Sequence, residues 1–193
     1  MTDFSAFVYK KMPGYDEPVF REAFSHAIPL KTVVIHCYDP RAADIPQAVA
    51  KHFGEIFPGE LILDDKGNRV GSTTNLAQVV VAGGRAAEAL RSIAVADFLF
   101  GIEKVVVVHH SFCASTTYTK CGFIEAFEHE HGSDLSHAYD EGSVIDNFEE
   151  SIKYDVSLMR AAPGVPAELK IYGFFYNIDS GELTEVFSDI PAE

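Results

Sequence analysis

Basic side chains are scarce in this chain: 15 Lys and Arg stand against 29 Asp and Glu, for a formal charge of −14. No basic patch exists to neutralise phosphates, which argues against a nucleic-acid partner and equally against an anionic membrane surface. Long apolar runs are missing too. No stretch approaches the ~18 apolar residues that a membrane span needs. Residues 1–11 lack an apolar segment of signal-peptide length. Cysteine is sparse, with three in the chain. An odd, small number makes no disulfide framework, so a reducing compartment and a cytoplasmic location are expected. Neither an internal repeat, a low-complexity tract nor a linker interrupts the chain. Its 193 residues suit one domain with a substantial core.

What the chain does contain is a pair of β-branched runs that end in metal-ligand residues. Val105 to Val108 are four consecutive valines, the composition of a strand buried on both faces. The run breaks at once into His109, His110, Ser111, Phe112 and Cys113. The carboxyl end of such a strand is where open α/β sheets hold their ligands. Far upstream, Thr32 to Ile35 form a second run that passes through His36 to Cys37, with Asp39, Pro40 and Arg41 following. As neighbours in one parallel sheet, the two strands bring Cys37, His110 and Cys113 to one point. Two thiolates and an imidazole suit zinc by softness and number. Apart from Cys121, no further Cys or His stands at ligand spacing. Three protein ligands with a place left for water is the pattern of a catalytic zinc rather than a structural one.

The remaining elements follow from period and punctuation. Residues 1–31 carry no clear period, with a turn near Pro13-Gly14 and a short helix over 19–24. Asp44-Ile45-Pro46 starts a helix that runs to Gly54. A short strand over 60–63 and a turn over 64–68 come next. Val79-Val80-Val81 is a further buried run, ending at Gly83-Gly84, a pair that permits close backbone approach or positive φ. A helix over 85–100 closes at Gly101 and forms a β-α-β unit whose strands are parallel. Helices over 119–131 and 144–160 and a hairpin of 169–178 with 183–187 complete the chain. His36 and His109 precede ligands along their strands, so they point to the opposite faces and are expected to be packed or hydrogen-bonded. Cys121 is expected to be buried as a small apolar residue. The run Glu128-His129-Glu130-His131 reads as a solvated helix end, since alternating Glu and His do not share a face.

Cys-x-Asp-x-Arg at Cys37, Asp39 and Arg41, with His-x-x-Cys at His110 and Cys113, resembles the β class of carbonic anhydrases. Ala82-Gly83-Gly84, Leu90-Arg91-Ser92-Ile93 and the late stretch over 171–183 resemble that family as well, so the likeness runs from about Thr32 to Phe187. His109-His110 with Thr116, Thr117, Tyr118 and Thr119 is similar to the small-enzyme branch that includes carbonyl sulfide hydrolases. The resemblance implies an α/β fold with a mostly parallel central sheet flanked by helices. It also implies an N-terminal arm over 1–31 that packs on a partner subunit, a single zinc-enzyme domain over 32–193, and a closing β-hairpin.

The implied cofactor is Zn²⁺ on Cys37, His110 and Cys113. The implied activity is reversible hydration of carbon dioxide to bicarbonate by a zinc-bound hydroxide, in a homodimer or homotetramer. Asp39 and Arg41 match the family's catalytic dyad. Arg41 holds the carboxylate off the metal by a charge-assisted pair, and Asp39 is then free to orient the bound water. Hydrolysis of carbonyl sulfide or carbon disulfide at the same zinc is the alternative. A non-catalytic zinc- or bicarbonate-binding module would predict loss of Asp39 or Arg41, and both are present. A redox pair of Cys113 and Cys121 is disfavoured by the absence of Cys-x-x-Cys. Pro40, Phe112 and Ala114 depart from the family's usual small polar residue, Asp and Gly. They imply a drier pocket and bear on substrate preference.

Overall fold

The computed structural model of the protein describes residues 3–137 and 144–192. Residues 1–2 and 193, the outer ends of the arm and domain divisions drawn above, lie outside the described residues. Along the chain the elements are α1 (Glu17–Ala27), β1 (Thr32–Cys37), α2 (Ile45–Phe53), β2 (Leu61–Leu63), β3 (Arg69–Ser72) and β4 (Leu76–Val81). They continue with α3 (Leu90–Phe100), β5 (Lys104–His110), α4 (Lys120–His131), α5 (Phe148–Ala161), β6 (Lys170–Tyr176) and β7 (Leu183–Asp189).

Five strands form one sheet in the order β4-β1-β5-β6-β7, parallel except for the closing β6-β7 hairpin. The two β-branched runs are its centre: all of β1 and all of β5 except Lys104 are buried. Because side chains alternate along a strand, the sheet has two different apolar faces. Val33, Ile35, Val105, Val107 and Ile171 pack with Ile93 of α3 and with Val156 and Met159 of α5. Val34, Val106, Val108 and Phe174 pack with Ile45, Val49 and Ala50 of α2. Each such side chain contributes about 1.5–3 kcal/mol on burial, which makes these two layers the main source of stability. No helix among the described residues is long and apolar enough to cross a membrane. β2 and β3 form a separate two-stranded antiparallel sheet, and the leucines and isoleucine of β2 are exposed.

Two helix starts differ from the pattern reading, and one apolar run proves to be an edge strand. β4 and β5 are parallel, but β1 lies between them. Val79, Val80 and Val81 belong to an edge strand, and Val80 is 48% exposed. A continuous valine run does not separate an edge from a centre, because the missing neighbour leaves no local trace. The helix over 85–100 begins as α-helix only at Leu90, behind a short 3-10 turn at Ala87–Ala89. α5 begins at Phe148, where the Asn147 side chain accepts the Glu150 amide at 3.1 Å, so Ile145 lies before the helix. Near the N-terminus, Asp16 caps α1 by accepting the Val19 amide at 3.2 Å. α1 packs on α3 through Phe24 against Phe100 and Arg21 over the ring of Phe98.

Gly83 and Gly84 both adopt positive φ, at 63° and 68°. Gly84 also lies against the sheet: a Cβ there would stand 2.9 Å from the Val108 carbonyl oxygen and 3.0 Å from the Cys37 amide nitrogen. Backbone approach at this point lets the β4-α3 turn close over the ends of β1 and β5. Gly84→Ala is expected to destabilise the protein by about 1–3 kcal/mol through forced left-handed backbone alone. The change is read as an earlier urea midpoint at unchanged slope. An unmoved midpoint would show that the close approach carries no energy.

Candidate metal centre

β1 ends at Cys37 and β5 ends at His110, and their register brings His36 opposite Val108. Both strand tips therefore arrive at the same sheet edge. The loop after β5 is fastened to the end of β6. Ser111 donates its amide to the Tyr176 carbonyl and accepts the Ile178 amide on its hydroxyl, each at 3.0 Å. Cys113 then enters a 3-10 turn at Ala114–Thr116. The result is one buried cluster: a ligand atom from each of Cys37, His110 and Cys113, all within 4.8 Å of one another.

Three observations test whether this cluster fits a metal. The sulfurs of Cys37 and Cys113 lie 3.9 Å apart as free thiols. His110 Nδ1 donates to the Ser111 carbonyl at 2.9 Å, which leaves Nε2 as the bare acceptor of the neutral ring. That Nε2 is buried and has no partner among the described residues. An imidazole oriented by a backbone carbonyl, with its other nitrogen aimed among thiols, is the usual arrangement of a metal-ligating histidine. The donor set suits zinc.

The thiols are electrostatically unequal. Hydrogen bonding from Cys37 lowers the Cys113 thiol to about 6 against the effect of burial, helped by the Ser115 amide and hydroxyl. The bond to Cys113 and burial push Cys37 up to about 12, although His110 and the Asp39 amide pull the other way. The pair thus shares one proton between two sulfurs, which a bound cation would displace.

Asp39 and Arg41 stand at the rim. Arg41 grips the carboxylate bidentately, Nε to Oδ1 at 3.0 Å and Nη2 to Oδ2 at 2.6 Å, and its own amide also donates to Oδ1 at 3.0 Å. These bonds lower Asp39 to about 2. Nη2 of Arg41 also donates to the Phe112 carbonyl at 3.0 Å. Phe112 is the one non-glycine with positive φ among the described residues, at 55°, a conformation that costs a bulky residue about 1–3 kcal/mol. Its ring is 69% exposed, and Pro40 and Ala114 are exposed as well. The three departures from the family pattern therefore do not dry the thiol pocket. Ile145, 2% exposed, does: it packs in one buried cluster with Cys37 and Cys113.

The other candidates fall outside the cluster. His36 is held by the Cys37 carbonyl at 2.9 Å and by Gln78 at 3.0 Å. His109 is fully buried, with Nε2 donating to Asp155 at 2.9 Å, and burial lowers its pKa. Both are packed and hydrogen-bonded, as their strand positions implied. Cys121 is exposed on α4, not buried, because α4 buries none of its described residues. The acidic and histidine tail of α4 is exposed. Ile145, Ser115 and the Arg85-Asp155 pair were not singled out from the sequence. Only Asp155 carried a signal, as an acid among the apolar positions Ile152, Val156 and Met159 of α5.

No protein-family model matches the chain. β-Carbonic anhydrase 1 of Mycobacterium tuberculosis is 25% identical over 99 residues, 51% of this chain. The chain matches 59% of the length of that curated relative. Among solved structures, a carbonic anhydrase from Streptococcus mutans shares the fold with a TM-score of 0.63 at 22% identity, over 97% of this chain and 99% of that one. A carbon disulfide hydrolase in its apo form shares it with a TM-score of 0.57 at 20% identity, over 81% of this chain and 78% of that one. The chain is thus similar in sequence over about half its length to a β-carbonic anhydrase, and it shares the fold of a solved carbonic anhydrase over nearly all of it.

Proposed function

We propose that this protein hydrates carbon dioxide reversibly to bicarbonate at a zinc ion held by Cys37, His110 and Cys113. The observation that carries the reading is the buried Cys-His-Cys cluster, with its bare imidazole nitrogen, beside a carboxylate already gripped by arginine. When bound, zinc lowers the pKa of a water to about 7, so that hydroxide is available at neutral pH. The residues of the chain supply the rest. Arg41 engages both oxygens of Asp39 and would hold the carboxylate away from a metal bound by the cluster. Asp39, ionised at every pH above about 2, can only accept hydrogen bonds. It takes one from the attacking water and directs the oxygen lone pair at the substrate carbon. The Ser115 amide and hydroxyl favour the Cys113 thiolate, while the Asp39 amide only partly offsets the bond to Cys113 and the burial that push Cys37 up to about 12. A buried, largely apolar wall at Ile145 keeps bulk water from the thiolates.

Hydrolysis of carbonyl sulfide or carbon disulfide is the second reading. It is favoured by Tyr38 and Phe112, 68% and 69% exposed and each next in sequence to a proposed ligand, which add apolar surface outside the thiol pocket. Residues 32–193 act as one domain in either reading, with 1–31 as the arm. The exposed apolar side chains of that arm, Phe4, Phe7 and Tyr9 among them, suit contact with a second copy. Three free cysteines suit the cytoplasm.

A paired assay on one zinc-loaded preparation tests the reaction. Hydration followed by pH indicator is expected to dominate over sulfide release from carbonyl sulfide. The reverse ranking would establish the hydrolase, and silence in both with zinc bound would leave a binding module. Asp39→Asn is expected to retain zinc by elemental analysis while turnover falls about 10²–10⁴-fold, the range of a lost proton-handling group. In the wild type, no inflection of the rate between pH 4 and 9 should trace to Asp39, because its charged form is lost only as pH falls through about 2. Unchanged turnover in Asp39→Asn would remove the residue from the mechanism. Light scattering at micromolar concentration should give at least a dimer, and a monomer there would count against the arm.

A further inference from the structure

Ile145 closes the thiol cluster, yet no helix fixes it, since α5 begins only at Phe148. Two backbone contacts hold it instead. Its amide donates to the Ser115 carbonyl at 3.2 Å. The carbonyl of the preceding Val144 accepts from Arg85 Nη1 at 2.6 Å. Arg85 is itself 2% exposed. Its Nε and Nη2 donate to the two carboxylate oxygens of Asp155 at 3.0 and 3.1 Å, and His109 Nε2 donates to the same carboxylate at 2.9 Å.

A buried ion pair is a poor way to dock a helix, because an apolar pair of similar volume packs as well or better. α5 already buries Ile152, Val156 and Met159. What an apolar pair does not supply is the third arm of the guanidinium fork. One edge of Arg85, Nε and Nη2, is spent on Asp155, and the remaining nitrogen, Nη1, reaches the Val144 carbonyl. A lysine ammonium lacks that fixed planar geometry.

We propose that Arg85 is a positioning residue for the metal centre: braced by Asp155 and His109, it holds the Val144 carbonyl so that Ile145 stays closed over Cys37 and Cys113. The closed segment shields the sulfurs from solvent, from oxidising reagents and from competing ligands. The part of the test that reads zinc rests on the metal reading above, and the part that reads thiols does not.

The test uses the full chain with excess EDTA, a chromogenic aromatic disulfide (DTNB) and, separately, a zinc indicator. Cys121 is exposed and reacts in a first phase, which serves as the internal reference. The buried pair reacts in a second. Arg85→Lys and Ile145→Ala are each expected to speed the second phase about tenfold, the effect of a looser local opening equilibrium, with the first phase and far-UV dichroism unchanged. Zinc release to the chelator should accelerate in parallel, and Ile145→Val should restore the slow phase. A wild-type second phase in Arg85→Lys, beside a fast one in Ile145→Ala, would reduce Arg85 to a structural ion pair and overturn the proposal. Unchanged rates in both would overturn it as well. Should Arg85→Lys not fold, hydrogen exchange of the Ile145 amide in the wild type decides. Protection like that of β5 supports a held segment, and exchange as fast as the end of α4 refutes one. A wild type that never releases zinc, with the thiol phases as expected, would sink the metal reading and leave this one standing.

Discussion

Parallel pairing of β1 with β5 sets Thr32 opposite Lys104 and His36 opposite Val108, and the rest of the molecule is built on that register. Side chains alternate along a strand, so a slip by one residue would turn Cys37 and every valine of the pair to the wrong face. The slip is prevented by burial on both sides. One apolar layer faces α3 and α5 and another faces α2, and neither tolerates exchange with a histidine or a threonine. The register that buries the valines also delivers the two strand tips to one edge. Gly84 then lies against Cys37 and Val108, where a side chain would clash. Core packing and ligand placement are therefore the same constraint, read at the middle and at the end of the same strands.

Two arginine-aspartate pairs show how position changes what one interaction does. Arg41 is half exposed, so its bond to Asp39 adds little to stability but sets the direction of the carboxylate. Arg85 and Asp155 are buried to within a few per cent, where removal of either partner strands a charge in the core. The buried pair holds a backbone carbonyl and the exposed pair orients a carboxylate. Asp39 and Arg41 follow the end of β1, whereas Arg85 follows the end of β4 and reaches Asp155 of α5.

The sheet and the convergence of Cys37, His110 and Cys113 were legible because each rests on a local signal. β-Branched runs mark buried strands, and a ligand residue at the end of such a run marks the edge. What was not legible depended on a neighbour distant in sequence. Val80 sits in an apolar run but on an edge strand, because the run does not record that β4 lacks a second partner. Ile145 fits the helical stripe of α5, and only the Asn147 cap, three residues before Glu150, excludes it from the helix. Cys121 is exposed because α4 buries none of its described residues, a fact about tertiary docking rather than about the helix. Phe112 was read by its chemistry as a drying side chain. Its backbone conformation instead turns the ring outward while its carbonyl meets Arg41.

Several departures from local consistency gather in one place. Elsewhere the described chain mostly follows ordinary rules, with caps at α1 and α5 and left-handed glycine after α2 and α3, although Glu55 Oε2, His109 Nδ1 and Ser151 Oγ are also buried without a partner among the described residues. Around the strand tips the pattern reverses. Within a few residues stand a strained phenylalanine, a bare buried imidazole nitrogen, two thiols sharing a proton and a glycine pressed on backbone. The left-handed phenylalanine and the unpaired nitrogen are each unfavourable by about 1–3 kcal/mol. A sequence under selection for stability alone would remove them, for instance by an apolar residue in place of His110. Clustered costs of this kind are what functional sites show when the fold elsewhere is consistent. A cation among Cys37, His110 and Cys113 would satisfy the nitrogen and displace the shared proton together. Residues that look like local defects would then be its ligands, with Gly84 and the Phe112 carbonyl holding those ligands and Arg41 in place.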